Sequence, residues 1–395
     1  MTTPAARVLP TFPWDTLETA KRRAQSYPGG FIDLSIGTPV DPTPQIAQQA
    51  LIAAADSPGY PPTVGTAQLR EAIVSWARRR RGSSTLEPAG VLPSVGSKEL
   101  VASLPSQLGV GPGHRVLFPS IAYPTYDVGA RLAGAEPLPV GPDPATWPDA
   151  DLVWLNSPSN PTGRVASVDE LRAQVAWARA HDAIIASDEC YAELLWQGRY
   201  AFDESGRCPN TDARGFGAPS ILDDAVCDGD MRGLLMVYSA SKQSNLAGYR
   251  TAFVAGDTAL ISDLTEVRKH SGLMMAAPSQ AALAAVLADD AHVAEQRERY
   301  RARRNNLLAG ASVGGLTNDP ESEGGLYLWL APPEGSGMDA WALVDALSEL
   351  GILVAPSTFY GEDVPQRVRV SLTASDSQIA EAAERLAHFG VQRAN

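Results

Sequence analysis

The stretch Ser239-Ala240-Ser241-Lys242-Gln243-Ser244-Asn245-Leu246-Ala247-Gly248-Tyr249-Arg250 sets one lysine just behind an apolar run at 234–238, with two serines before it and an arginine eight residues on. A lone lysine is ordinarily a solvated surface residue. Behind a buried strand it becomes a candidate nucleophile, because desolvation and neighbouring cations disfavour the ammonium and free the amine to condense with a carbonyl. A guanidinium binds phosphate bidentately and hydroxyls can complete such a site, so Ser239, Ser241 and Arg250 suit a phosphorylated ligand beside Lys242.

Three other strand ends carry polar residues of matching chemistry. Ser187-Asp188-Glu189-Cys190-Tyr191 follows the apolar run 183–186, where an aspartate is ordinarily a helix N-cap. Asn156-Ser157-Pro158-Ser159-Asn160-Pro161-Thr162-Gly163 follows a run ending at Leu155, and by itself it is a good turn former. Gly96-Ser97-Lys98 stands between a strand and a helix beginning near Lys98, where free amides and the helix dipole make an anion site. Tyr123, in Ala122-Tyr123-Pro124-Thr125-Tyr126, reads as a core residue when taken alone. Ligands gather at the carboxyl ends of strands in an open α/β sheet, so these segments are expected to converge.

In this order, over about 35–373, the segments resemble the class I and II aminotransferases, which are pyridoxal-phosphate enzymes of fold type I. The resemblance implies that Lys242 carries pyridoxal 5′-phosphate covalently, and that its freed amine then moves the proton from the substrate's α-carbon as general base and acid. It implies that Asp188 pairs with the pyridine nitrogen and keeps it protonated, so that the ring draws electrons from the α-carbon. Tyr191 and Asn160 would reach the phenolic oxygen and Tyr123 would stack on the ring. Gly96, Ser97, Lys98, Ser239, Ser241 and Arg250 would hold the phosphate. Toward substrate, the resemblance implies that Gly37 (in Ile36-Gly37-Thr38-Pro39), Asn160 and Arg369 (in Val368-Arg369-Val370-Ser371) grip the α-carboxylate. Arg367 is expected at the surface. Tyr60 matches a tyrosine that reaches the phosphate of a neighbouring subunit, which implies a homodimer with shared active sites.

Two departures stand out. Thr251 replaces the small apolar residue usual after the arginine, and the loop-like stretch 198–232 is longer than in the family. Residues 203–218 read as an inserted surface loop, polar and glycine-containing, that buries little.

The elements that must position these residues are visible as apolar runs at 91–95, 115–118, 151–155, 183–186, 234–238 and 252–255, with a helical stretch at 168–180 between two of them. Such alternation predicts a mainly parallel sheet covered by helices on both faces. Beyond about residue 280 the texture changes to a helical stretch at 281–308, interrupted at Asp289-Asp290, and strands at 326–330 and 367–371. The expectation is an α/β protein with a large cofactor-binding domain at 41–284 and a smaller α+β domain at 285–395, against which residues 1–40 pack.

Composition narrows the function. A net charge of −13 argues against a nucleic-acid surface. No apolar run approaches the ~18 residues that span a bilayer, and residues 1–7 lack the apolar segment of a secretory signal. Cys190, Cys208 and Cys227 lack metal-ligand spacing and read as reduced thiols of a cytoplasmic protein, with pairing of the latter two left open. No metal site is expected. The partners expected are small amino acids and 2-oxo acids. Residues 35–44, 60–65, 95–100, 104–105 and 241–250 look most like succinyldiaminopimelate aminotransferases, which exchange an amino group between N-succinyl-LL-diaminopimelate and 2-oxoglutarate. The alternatives are an aspartate, aromatic or general amino-acid aminotransferase, or a carbon–sulfur β-lyase on the same fold.

Overall fold

Seven strands build the central sheet: β1 (Val91–Ser94), β2 (Arg115–Pro119), β3 (Glu136–Val140), β4 (Leu152–Asn156), β5 (Ile184–Asp188), β6 (Leu234–Ser239) and β7 (Ala252–Gly256). The computed structural model that shows them describes residues 9–203, 208, 212, 215–362 and 364–389. The strands lie in the order β1-β7-β6-β5-β4-β2-β3. Only β7 runs antiparallel to its neighbours, so the sheet is mainly parallel. Strands β1 and β4 to β7 are almost wholly buried, as a sheet covered on both faces requires. The one strand not expected, β3, reads Glu-Pro-Leu-Pro-Val and lies at the sheet edge, where missing amide donors are tolerated.

Register places the chemistry. Asn156 pairs with Asp188, and Asp188 with Val237, so Asp188 ends β5 and is no helix cap. Between strands run α1 (Ser97–Gln107), α2 (Thr125–Ala133), α3 (Val168–Ala180) and the single-turn α4 (Ala240–Gln243). Helix α3 keeps its predicted bounds because Ser167 and Glu170 form a capping box at its start. The stretch at 281–308 becomes two helices, α5 (Ala277–Leu287) and α6 (Ala291–Val313). Asp289, one residue before the N-cap Asp290, accepts from the amides of Ala291 at 3.2 Å and His292 at 3.3 Å at the start of the second.

Beyond α6, strands Thr317–Asn318, Tyr327–Ala331, Ala355–Pro356 and Val368–Ser371 make an antiparallel sheet, covered by α7 (Asp376–Ala387), which packs along α6. Ile32–Asp33 pairs in parallel with Ile352–Leu353. Leu17, Ile32 and Leu34 share one apolar cluster with Tyr300, Leu328 and Val368. Two further clusters cover the faces of the central sheet.

The surface-loop reading of 203–218 needs correction at its far end. Residues 204–207, 209–211 and 213–214 lie outside the described residues, but Gly217 and Ala218 are buried. The fully buried Arg81 donates to the carbonyls of Phe216 and of Ala218, the latter at 3.0 Å. Arg80 lies 5.1 Å from the Phe216 ring centre. Both arginines also pair with the buried Glu193. Burial alone would push that carboxyl up, but Arg80 and Arg81 hold it down at about 2. Arg367 also departs from expectation. It is no free surface side chain, since it donates to the Trp329 carbonyl at 3.1 Å and stands 3.4 Å from Asp319. Cys190, Cys208 and Cys227 are all free thiols. Among the described residues no helix is long and apolar enough to cross a membrane, and no side-chain cluster could hold a metal ion.

Candidate active site

At the carboxyl ends of these strands lies a cavity of about 290 Å³, lined by Gly37, Ser97, Lys98, Tyr123, Asn160, Asp188, Tyr191, Ser239, Ser241, Lys242, Arg250 and Arg369. Twelve of the fourteen residues singled out in the sequence therefore meet. Gly96 sits immediately behind, and Tyr60 stands apart with 95% of its surface exposed.

Lys21, Lys98, Lys242 and Lys269 are the chain's only lysines, and Lys242 alone is not exposed. It lies in α4, whose N-cap Ser239 accepts from the Ser241 amide at 3.2 Å and donates to the Thr251 carbonyl at 2.9 Å. Its amine donates to the Gly37 carbonyl. A strand end, a one-turn helix and an N-terminal segment thus aim one amine into the cavity.

Asp188 is buried at the cavity floor. Its Oδ1 accepts from the Cys190 amide at 3.2 Å and its Oδ2 from the Tyr126 hydroxyl at 3.1 Å. Burial pushes its carboxyl up, and the bonds from Cys190 and Tyr126 and the cation of Lys242 offset only part of this. A closer cationic partner would hold such a carboxylate charged. Behind it, Asn156 donates to the Asp188 carbonyl at 2.9 Å and accepts from the Asn160 amide at 2.7 Å, tying the two strand ends together.

The opposite end of the cavity is built for an anion. Helix α1 begins without any side-chain cap on its first amides, and its N-cap Gly96 has φ +101°. A Cβ on Gly96 would collide with the Arg250 guanidinium, so only glycine lets that cation close on the helix end. Ser97, Ser239 and Ser241 line the same end. An anion cradle at one end, a buried carboxylate at the other and an amine between them fit the phosphate, pyridine nitrogen and aldehyde of pyridoxal 5′-phosphate.

On the C-terminal side, Arg369 is 2% exposed. It donates to Asn160 Oδ1 at 2.8 Å and to the Ser35 carbonyl at 2.7 Å, while its guanidinium carbon lies 3.9 Å from the Tyr327 ring centre. Its Nε has no hydrogen-bond partner, and no carboxylate pairs with it among the described residues. Tyr327 contacts Tyr191, hydroxyl to hydroxyl, at 3.3 Å. Burial raises the Tyr327 phenol, but Arg369 and Lys242 outweigh it and bring the group below its ordinary value. Burial pushes Tyr123 up to about 12. Gly37 must lack a side chain, because a Cβ there would fall inside the Tyr327 hydroxyl.

Sequence reasoning missed Tyr126, Tyr327, Asn156, Cys190 and the aromatic mouth formed by Phe12 and Trp14. Asn156 and Cys190 lay within the quoted motifs and could have been read as supports. The tyrosines could not, since their partners are remote in sequence.

The family model for class I and II aminotransferases matches residues 30–386. The chain is 50% identical over 386 residues to the 4-dedimethylamino-4-oxo-anhydrotetracycline transaminase OxyQ of Streptomyces rimosus, covering 96% of this chain and 99% of that one. It is 49% identical to the probable aminotransferase Rv1178 of Mycobacterium tuberculosis (96% and 85% covered). It is 33% identical to the LL-diaminopimelate aminotransferase of Gloeobacter violaceus (98% of each). Among solved structures, a probable N-succinyldiaminopimelate aminotransferase from Thermus thermophilus superposes with a TM-score of 0.79 at 27% identity, covering 96% of this chain and 100% of that one.

Proposed function

The chain belongs to the class I and II aminotransferases, and from that premise we propose that Lys242, Asp188 and Arg369 carry an exchange of amino groups between an α-amino acid and a 2-oxo acid. The observation that carries this reading is Arg369, a buried guanidinium in the cavity wall with an unpartnered Nε and, among the described residues, no carboxylate paired with it. A substrate α-carboxylate supplies the missing anion, and a planar fork of donors suits it.

Pyridoxal 5′-phosphate, on which the family depends, supplies an aldehyde to receive the amino group and a ring to accept electrons from the α-carbon. Lys242 would hold the group through that aldehyde, and its amine, aimed into the cavity beside the Gly37 carbonyl, would take the substrate's α-proton and return it. Asp188 holds the proton on the ring nitrogen, with Tyr126 and Cys190 keeping its carboxylate in place. Tyr191 and Asn160, which line the cavity, would bond the phenolic oxygen, and Tyr123 would cover the ring. Gly96, Ser97, Lys98, Ser239, Ser241 and Arg250 hold the phosphate. Gly37, Asn160 and Arg369 hold the α-carboxylate. Tyr60 reaches the phosphate bound by a second copy of the chain, and its exposure in one copy supports that homodimer. The same reading divides the chain at about 284, with residues 9–40 of the expected 1–40 segment packed on the C-terminal unit, as the cluster joining Leu17 and Ile32 to Tyr300 supports; residues 1–8 lie outside the described residues.

For substrate we propose N-succinyl-LL-diaminopimelate with the 2-oxoglutarate/glutamate couple. The likeness to diaminopimelate and succinyldiaminopimelate aminotransferases supports it. A second reading comes from the 50% identity to OxyQ, whose name specifies an oxo-anhydrotetracycline. The aromatic mouth of Phe12 and Trp14 would suit a polycyclic ketone as amino acceptor. A screen of kcat/KM across the succinylated substrate, LL-diaminopimelate, aspartate, phenylalanine, cystathionine and a polycyclic ketone decides. Preference for any other compound by about tenfold, ~1.4 kcal/mol in the transition state, would overturn the succinylated assignment. Release of pyruvate and ammonia without an acceptor would instead indicate β-lyase chemistry.

A further inference from the structure

The one-turn helix that bears Lys242 is held from behind by side chains outside the cavity. Ser244, the residue that ends α4, is fully buried, and its Oγ lies 2.8 Å from His292 Nε2. His292 Nδ1 lies in turn 2.8 Å from Asp289 Oδ2. On the other side, Gln243 Nε2 donates to Ser244 Oγ at 3.2 Å, and the Tyr238 hydroxyl donates to Gln243 Oε1. A carboxylate only accepts, so Nδ1–H donates to Asp289, and in the neutral imidazole Nε2 accepts from Ser244.

The grip continues one residue on. Asn245, at φ +53°, donates to Gln296 at 2.9 Å and accepts from the Tyr300 hydroxyl at 3.4 Å. His292, Gln296 and Tyr300 are four residues apart on α6, so one helix face holds the exit from the lysine turn. Gln296 also donates to Asp41 at 2.7 Å, and Arg303 pairs with the same carboxylate. Asp41 closes the segment whose Gly37 carbonyl receives the Lys242 amine.

We propose that Ser244, His292 and Asp289 form a positioning relay that sets where the Lys242 amine stands in the cavity, an inference that rests on the reading of Lys242 given above. The set has the connectivity of a hydrolytic triad, but the Ser244 hydroxyl is closed off from any substrate, so it acts by orientation. A four-residue helix has too few internal hydrogen bonds to hold its own geometry. Removing the imidazole strands a buried hydroxyl without an acceptor and frees the turn. A misplacement of ~1 Å at a reacting group costs on the order of 10²-fold in rate.

The test uses the full-length holoenzyme with His292→Ala, Ser244→Ala, the double variant and His292→Gln, which keeps an acceptor toward Ser244. Each single alanine variant should lower kcat by about tenfold or more, with KM for the amino donor within about twofold and cofactor stoichiometry unchanged. The pH midpoint of the visible absorbance of the lysine-bound cofactor should move by about half a unit. The double variant should be no worse than the more severe single one, because one relay is broken once, and His292→Gln should recover part of the loss. Unmoved midpoints, multiplying effects in the double variant, or losses that only follow melting temperature would each overturn the relay. Lys242→Ala separates the two levels. If it keeps the absorbance and the turnover, the reading of Lys242 falls and the relay with it. If it loses both while the relay variants behave as wild type, the relay alone falls.

Discussion

Replacing Arg369 by glutamine probes the site's most exacting feature. Two guanidinium N–H groups are committed, to Asn160 and to the Ser35 carbonyl, while Nε–H has no partner. On the proposed reading the side chain is a buried cation, unpaired with any carboxylate among the described residues, whose anion arrives with substrate. Losing a desolvated charge pair of this kind costs roughly 3 kcal/mol in the bound complex, which corresponds to about 150-fold in kcat/KM. Amino donor and 2-oxo acceptor should suffer alike, since both present the same carboxylate. A donor whose α-carboxylate is replaced by an amide should lose far less. The free chain responds differently. Two hydrogen bonds worth ~1 kcal/mol each are lost, but an unpaired buried charge, itself costly, is removed. The melting temperature should therefore not fall. Steady-state kinetics in both directions, with thermal unfolding in parallel, reads the two effects separately. A marked fall in melting temperature with less than a tenfold loss of kcat/KM would make Arg369 a structural residue and refute the clamp.

Three other outcomes are expected. Gly96→Ala should weaken cofactor binding by about tenfold or more in a fluorescence titration, because a Cβ at φ +101° displaces Arg250 from the anion cradle. Tyr126→Phe removes one of the hydrogen bonds to the Asp188 carboxylate and should lower kcat by roughly tenfold, in line with ~1.5 kcal/mol for a bond to a charged group, with little change in KM. Burial raises the Glu189 carboxyl to about 7 from an ordinary 4.5. The folded chain then holds a proton the unfolded chain has shed, so stability falls as pH rises between those values. Glu189→Gln should accordingly raise the melting temperature at pH 8 more than at pH 5, by an amount equivalent to at most about 3 kcal/mol, and equal gains at both would contradict this.

Much of this site is legible from sequence for a specific reason. Lys242, Asp188 and Asn160 are polar residues directly behind apolar runs, and a parallel sheet brings such ends together. Tyr126 and Tyr327 were not legible. Tyr327 sits in an apolar run that reads as core, and the bonds of the two run to Asp188 and Tyr191, 62 and 136 residues away. Strand β3 was hidden by two prolines that only an edge position tolerates. The end of the 203–218 stretch looked like free loop because its partner is Arg81, 135 and 137 positions from Phe216 and Ala218. A long-range bond to a backbone carbonyl leaves no mark in the composition of the loop that provides it.

The central claim is that Lys242 bonds the cofactor, and the scarcity of lysine makes it directly testable. The holoenzyme is reduced with borohydride, digested, and the pyridoxyl mass located by tandem mass spectrometry among Lys21, Lys98, Lys242 and Lys269. One label per chain is expected, on Lys242, the only lysine of the four that is not exposed. A label on any of the other three at comparable yield, or none at all from a chain that transfers amino groups, would contradict it.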